Sequence, residues 1–210
     1  MNHLGKFISD LSSLIPVVTG FYFYKRLKMD RRILLYLLLY AVWVELSNAW
    51  MASHGIYNLW QVNIYTLVEF TCLLFVFNLW VRNVIIRWLS LIGAVSFYLI
   101  WSFVFLEAGH LNVVNLPADM TGSVTILLAS GFVVTTISLE KEHSLTRNYK
   151  FVFGGASFIY FCVNMFLSYI FTRLVHEPNL LHSQIWDIHS VINIAINIIY
   201  AYSFSLKETN

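Results

Sequence analysis

Apolar residues fill this chain in long runs, and short polar breaks separate them. A helix crossing a bilayer needs about 20 mainly apolar residues. The pattern predicts seven such runs: Gly5 to Tyr24, Ile33 to Ser53, Leu59 to Trp80, a fourth that follows Arg82 and Arg87 and ends near Leu106, Met120 to Leu139, Phe151 to Val175, and Ser183 to Leu206. The breaks are KRLKMDRR, an uncharged turn around His54 and Gly55, the Arg82–Arg87 stretch, EAGHLNVVNLPAD with a turn expected at Pro117, EKEHSLTRNYK, and HEPNLL. The predicted fold class is all-α: a polytopic membrane protein, one seven-transmembrane-helix domain over residues 1–210. Asp10 interrupts the first run and no small-residue cleavage site follows before Lys25, so a retained span is expected there rather than a signal peptide.

Charge sets the orientation. Of the thirteen Lys and Arg, eleven fall on one side of a seven-span layout, and only Lys6 and Arg173 fall on the other. The positive-inside rule then puts the N-terminus outside and the C-terminus in the cytoplasm. Composition agrees with the class: 59% of residues are hydrophobic and 11% charged, against about a quarter charged in soluble domains. No basic cluster interleaved with stacking aromatics supports nucleic-acid binding. Cys72 and Cys162 sit in apolar runs without metal-ligand spacing and read as small fillers. Trp50, Trp60, Trp80 and Trp88 lie near span ends, where interfacial aromatic belts are expected.

The chemistry is expected around Glu45 and Glu69, two acids inside otherwise apolar runs. Ionisable groups within a bilayer are costly and mark functional sites by default. No Lys or Arg lies in the interior of any predicted span; Lys6 and Arg173 fall at span ends. Such acids must therefore be neutralised and hydrogen-bonded, paired with a histidine (His189 by depth), or matched to something exogenous. Gln61, Tyr65, Glu69 and Cys72 share one helical face, as do His182, Trp186, His189, Asn193 and Asn197, and Glu45 and Asn48 are i, i+3 neighbours. These stripes predict an outward-opening pocket lined by Glu45, Asn48, Asn63, Tyr65, Glu69, Trp186, His189 and Asn193. Structural hydrogen bonding between helices is the plainer expectation for Tyr160, Asn164, Ser168 and Asn197. Asp10 and Asp187 read as solvated or as favouring a helix N-terminus.

Three functions fit this pattern. One is a sensor-like or transport-like module binding a small or cationic ligand or an ion, with a cytoplasmic signalling partner or a homo-oligomer. The second is a metal-assisted intramembrane hydrolase of a lipid-like substrate, with zinc on Glu45, Glu69 and His189. His182 and His189 lie roughly 10 Å apart along a helix, too far to share an ion, and no HExxH occurs. The third is a structural or assembly subunit. Binding is favoured over catalysis.

The seven-span, N-outside layout is similar to that of rhodopsins and other seven-helix receptors. The last span has no lysine for a Schiff base, so retinal is not expected. The layout also resembles the alkaline ceramidase and adiponectin-receptor group, but IWDIHSVIN offers only His189 where that group has a close histidine pair. NIYTLVEF and IHSVINIAINIIYAY resemble small uncharacterised bacterial seven-span proteins. That resemblance implies the fold, a shared pocket and a bacterial cytoplasmic membrane.

Overall fold

The computed structural model describes residues 8–9, 11–81, 83–139, 144–174 and 180–207; the side chains of 171–174 and 180–186 fall outside that description. Among the described residues the chain is all-helical. Seven helices follow one another: α1 Leu14–Tyr22, α2 Met29–Ser53, α3 Leu59–Trp80, α4 Val84–Ala108, α5 Leu116–Leu139, α6 Tyr149–Leu174 and α7 Leu180–Ser205. Six of them, α2 to α7, are long and apolar enough to cross a membrane. The nine-residue α1 is the shortest, although Ile8, Ser9, Leu11 and Ser12 ahead of it are also helical.

Helix boundaries follow local chemistry. The turn after α2 closes on Gly55, at φ +69°, with the Ile56 amide donating to the Met51 carbonyl at 2.9 Å. That left-handed backbone suits glycine. Gly109 ends α4 in the same way, at φ +71°. Two expectations change here. Pro117 does not make a turn; it sits in the first turn of α5, where its missing N–H leaves no bond unmade. Asn115 caps that helix, accepting from the Ala118 amide at 3.2 Å. In addition, α2 begins at Met29, inside the stretch read as a basic loop.

Packing arranges the helices as a ring. The principal contacts run α1 to α2, α2 to α3, α3 to α5, α5 to α6, α6 to α7, and α7 back to α1. Helix α4 stands outside this ring, packed mainly on α5. A Cβ on Gly93 of α4 would meet the Thr125 methyl of α5 at 2.5 Å, so glycine permits that close approach. Small residues let helix backbones meet where lipid provides no hydrophobic drive.

The ring is drawn together at the end that carries KRLKMDRR. Asp30, in the first turn of α2, accepts from the Trp80 indole of α3 at 2.6 Å and from the Tyr149 hydroxyl of α6 at 2.9 Å. Its neighbour Arg31 is 2% exposed. The Arg31 guanidinium donates to the Ser203 and Leu206 carbonyls at the end of α7 and lies 4.2 Å from the Tyr149 ring centroid. Two adjacent charged residues thus tie four helices together. Trp80, expected in an interfacial belt, is buried because its N–H finds an acceptor inside, while Trp50, Trp60 and Trp88 remain exposed. Phe77, Phe153 and Phe204 fill this end without gaps, each almost wholly buried.

Replacing Asp30 with Ala leaves the Trp80 and Tyr149 donors without an acceptor. We expect a loss of about 2–4 kcal/mol for two buried donors, read as a lower unfolding midpoint in detergent. Asp30→Asn keeps an acceptor oxygen and is expected to lose clearly less.

Candidate functional site

Helices α2, α3, α5, α6 and α7 of the ring contribute polar side chains to the interior, and Ser13 does so just ahead of α1. On α3 the stripe Gln61, Tyr65, Glu69 faces inward, and the Tyr65 hydroxyl donates to Glu69 at 2.9 Å. Asp119 of α5, a second acid, also lies within electrostatic reach of Glu69. Tyr160 of α6 and Tyr200 of α7 lie within electrostatic reach of Glu69, and both Tyr65 and Tyr160 also feel Glu45. Tyr200 is fixed from below by stacking on Phe153, with centroids 4.3 Å apart, and by a 3.0 Å hydrogen bond with Ser157.

The two acids expected to form one centre stand at different levels. The α2–α3 hairpin is antiparallel: the Gln61 amide donates to the Ser47 hydroxyl, and the Tyr40 and Tyr65 rings meet at 5.9 Å. Glu45 therefore lies near the level of Gln61. Glu69 is eight residues further along α3, about 12 Å deeper at the α-helical rise. Glu45 accepts from the hydroxyl of Ser13, the residue just ahead of α1, at 2.7 Å. The interior is thus a column of polar groups, with Tyr65 and Tyr160 between an upper acid and a lower acid pair. Tyr65, Glu69 and Tyr160 are each half-buried.

Several predicted lining residues have other partners. The Asn63 amide donates to the Leu111 and Val113 carbonyls at 2.7 and 2.9 Å, and so clasps the α4–α5 connection. Asn193 donates to the Ser9 hydroxyl at 3.1 Å, and Asn197 to Ser12 at 2.9 Å, which fastens α7 to the start of the chain. Asn197 thus has the helix-joining role expected for it, and Asn193 shares that role. The Asn48 backbone carbonyl accepts from Asn58, while its side-chain oxygen is buried without a donor among the described residues, as is the Gln61 oxygen. His189 is half-buried on α7. The side chains of Trp186 and His182, and the whole of Asp10, fall outside the described residues.

No three His, Cys, Asp or Glu among the described residues are grouped to hold a metal ion, and Glu45, Glu69 and His189 are all described. The zinc triad is not assembled as a ligand set. Two residues that sequence reasoning passed over enter the column. Asp119 was read as part of a connection; its position within one turn of Asn115, a strong capping residue, marks a helix start instead. Ser13 gave no signal beyond its place in the first apolar run. In chemical terms the column offers carboxyl, phenol and amide acceptors, with no lysine or arginine among the described residues, an arrangement suited to a cation or a hydrogen-bond donor.

Substituting Asn63 with Ala is expected to release the 110–115 connection. Amide hydrogen exchange there should rise while exchange in α6 stays unchanged. Comparison of the chain with known family models, curated proteins and solved structures finds no match.

Proposed function

We propose that this chain is a seven-span protein of the bacterial cytoplasmic membrane, with its N-terminus outside, and that its ring binds a small ammonium-bearing ligand or an inorganic cation entering from outside. One observation carries the reading. Glu69 lies half-buried on the inward stripe of α3, where the Tyr65 hydroxyl donates to it at 2.9 Å, and among the described residues no Lys or Arg pairs with it. A low-dielectric site holding two acids gains most from a positive guest. The route from outside is supported by how the ends differ. The basic end is plugged by Phe77, Trp80, Phe153 and Phe204, whereas the other end carries Glu45, Asn48 and Gln61.

The structural reading has its own support in the Asn193–Ser9 and Asn197–Ser12 bonds, which tie α7 to the start of the chain. A ligand screen separates the two. Purified protein is titrated with inorganic cations, organic ammonium ions and their neutral isosteres, and the unfolding midpoint is followed. A cation present at one hundred times its Kd is expected to stabilise by about 2.7 kcal/mol. Glu69→Gln should lose that shift while keeping the unliganded midpoint. If no cation shifts the wild type, the binding reading falls and the structural one stands.

Orientation is tested separately in a background lacking Cys72 and Cys162. A membrane-impermeant thiol reagent added outside is expected to label Tyr57→Cys, in the α2–α3 turn, and to spare Ser144→Cys. The reverse pattern would invert the topology.

A further inference from the structure

The basic connection between α1 and α2 divides its charges. Asp30 and Arg31 turn inward and are used by Trp80, Tyr149 and the end of α7. Lys25, Arg26 and Lys28 are exposed, and Arg32 is half-buried beside them. This outer side therefore carries four basic residues while its one acid is engaged in the core.

Arg32 is held in a particular way. Its guanidinium carbon lies over the Tyr24 ring, 4.8 Å from the centroid, and the group acts electrostatically on Tyr36. The Tyr24 and Tyr36 hydroxyls hydrogen-bond to each other at 2.7 Å, which fixes the platform. The Arg32 Nε is covered and meets no acceptor, and among the described residues no acceptor meets the rest of the head. A guanidinium held over an aromatic ring, with N–H groups unmatched, suits the oxygens of a phosphate.

A second observation names the source of that phosphate. Arg32 stands at one end of a single face of α2, continued at helical spacing by Tyr36, Leu39, Trp43, Leu46 and Trp50. Each of these is exposed, from 39% at Leu39 to 65% at Leu46. An apolar stripe of about four turns with one cation at its headgroup end matches an amphiphile, with its phosphate on the cation and a chain along the stripe. Juxtamembrane clusters of four or more basic residues attract anionic lipids in general. Here the stacked arginine singles out one position.

We propose that the junction of α1 and α2 is a binding site for an anionic phospholipid, with the phosphate on Arg32 and an acyl chain along Tyr36, Leu39 and Trp43. The site is independent of the interior column. Full-length protein in neutral detergent is mixed with phosphatidylglycerol, with phosphatidylcholine or with inorganic phosphate, and retained lipid is counted by native mass spectrometry alongside the unfolding midpoint. Phosphatidylglycerol is expected to be retained and to raise the midpoint. Arg32→Gln should lower its retention about tenfold or more, as expected for a lost charged hydrogen bond. Arg32→Lys keeps the charge without the stacked fork and should fall between. Arg87→Gln, whose Nε already donates to the Val81 carbonyl at 2.9 Å, should retain lipid like the wild type. Equal retention of phosphatidylcholine, an equal midpoint shift with inorganic phosphate, or equal loss in Arg87→Gln overturns the proposal. If Arg32→Gln does not fold, Arg32→Lys alone decides it: unchanged retention in that variant also overturns the site.

Discussion

Hydrocarbon offers a polar group no partner, and this bundle is built by obeying that constraint from both ends. At the basic end, Asp30 and Arg31 meet donors and acceptors from α3, α6 and α7. Toward the other end, Ser9, Ser12 and Ser13 meet Asn193, Asn197 and Glu45, and so join the first helix to α7 and α2. Apolar side chains cannot specify such contacts in a membrane, because a lipid tail satisfies them as well as another helix does. The polar ties fix which helices are neighbours, and the aromatic packing of Phe77, Phe97 and Phe153 follows from that choice.

The ring also explains why α4 differs from the rest. It contributes no side chain to the inner column, and its apolar residues Ile85, Leu89, Ile92 and Leu99 are exposed. A helix with few polar residues has little to hide and is suited to the lipid side. The other six close into the ring, where their polar groups find partners that hydrocarbon does not offer.

Much of this was legible in the sequence. The helix count and the limits of α3 follow from apolar runs and polar breaks, and the inward stripe Gln61, Tyr65, Glu69 follows from spacing alone. What periodicity could not supply was the fate of residues at the breaks. Arg31 counts as a loop charge until α7 brings its terminal carbonyls alongside, and Trp80 reads as interfacial until Asp30 accepts its N–H. Asn63 and Asn193 have the residue type of ligand contacts, but their bonds go to partners far along the chain, which no local window contains. Glu45 and Glu69 share a membrane depth only while the hairpin register is unknown. The Ser47–Gln61 bond sets that register and separates them.

The turn at Gly55 has a bearing on how the protein reaches its membrane. Helix α2 carries Glu45 and Asn48, and α3 carries Gln61, Asn63 and Glu69, so neither would partition well by itself. Five residues, His54 to Asn58, are all that separate the two. With so short a tether, the second helix is at hand as soon as it is made, and its Gln61 can cover Ser47 before either surface meets acyl chains. The hairpin is then the unit of insertion, and a side chain forced on position 55 would hinder biogenesis before it touched the finished fold.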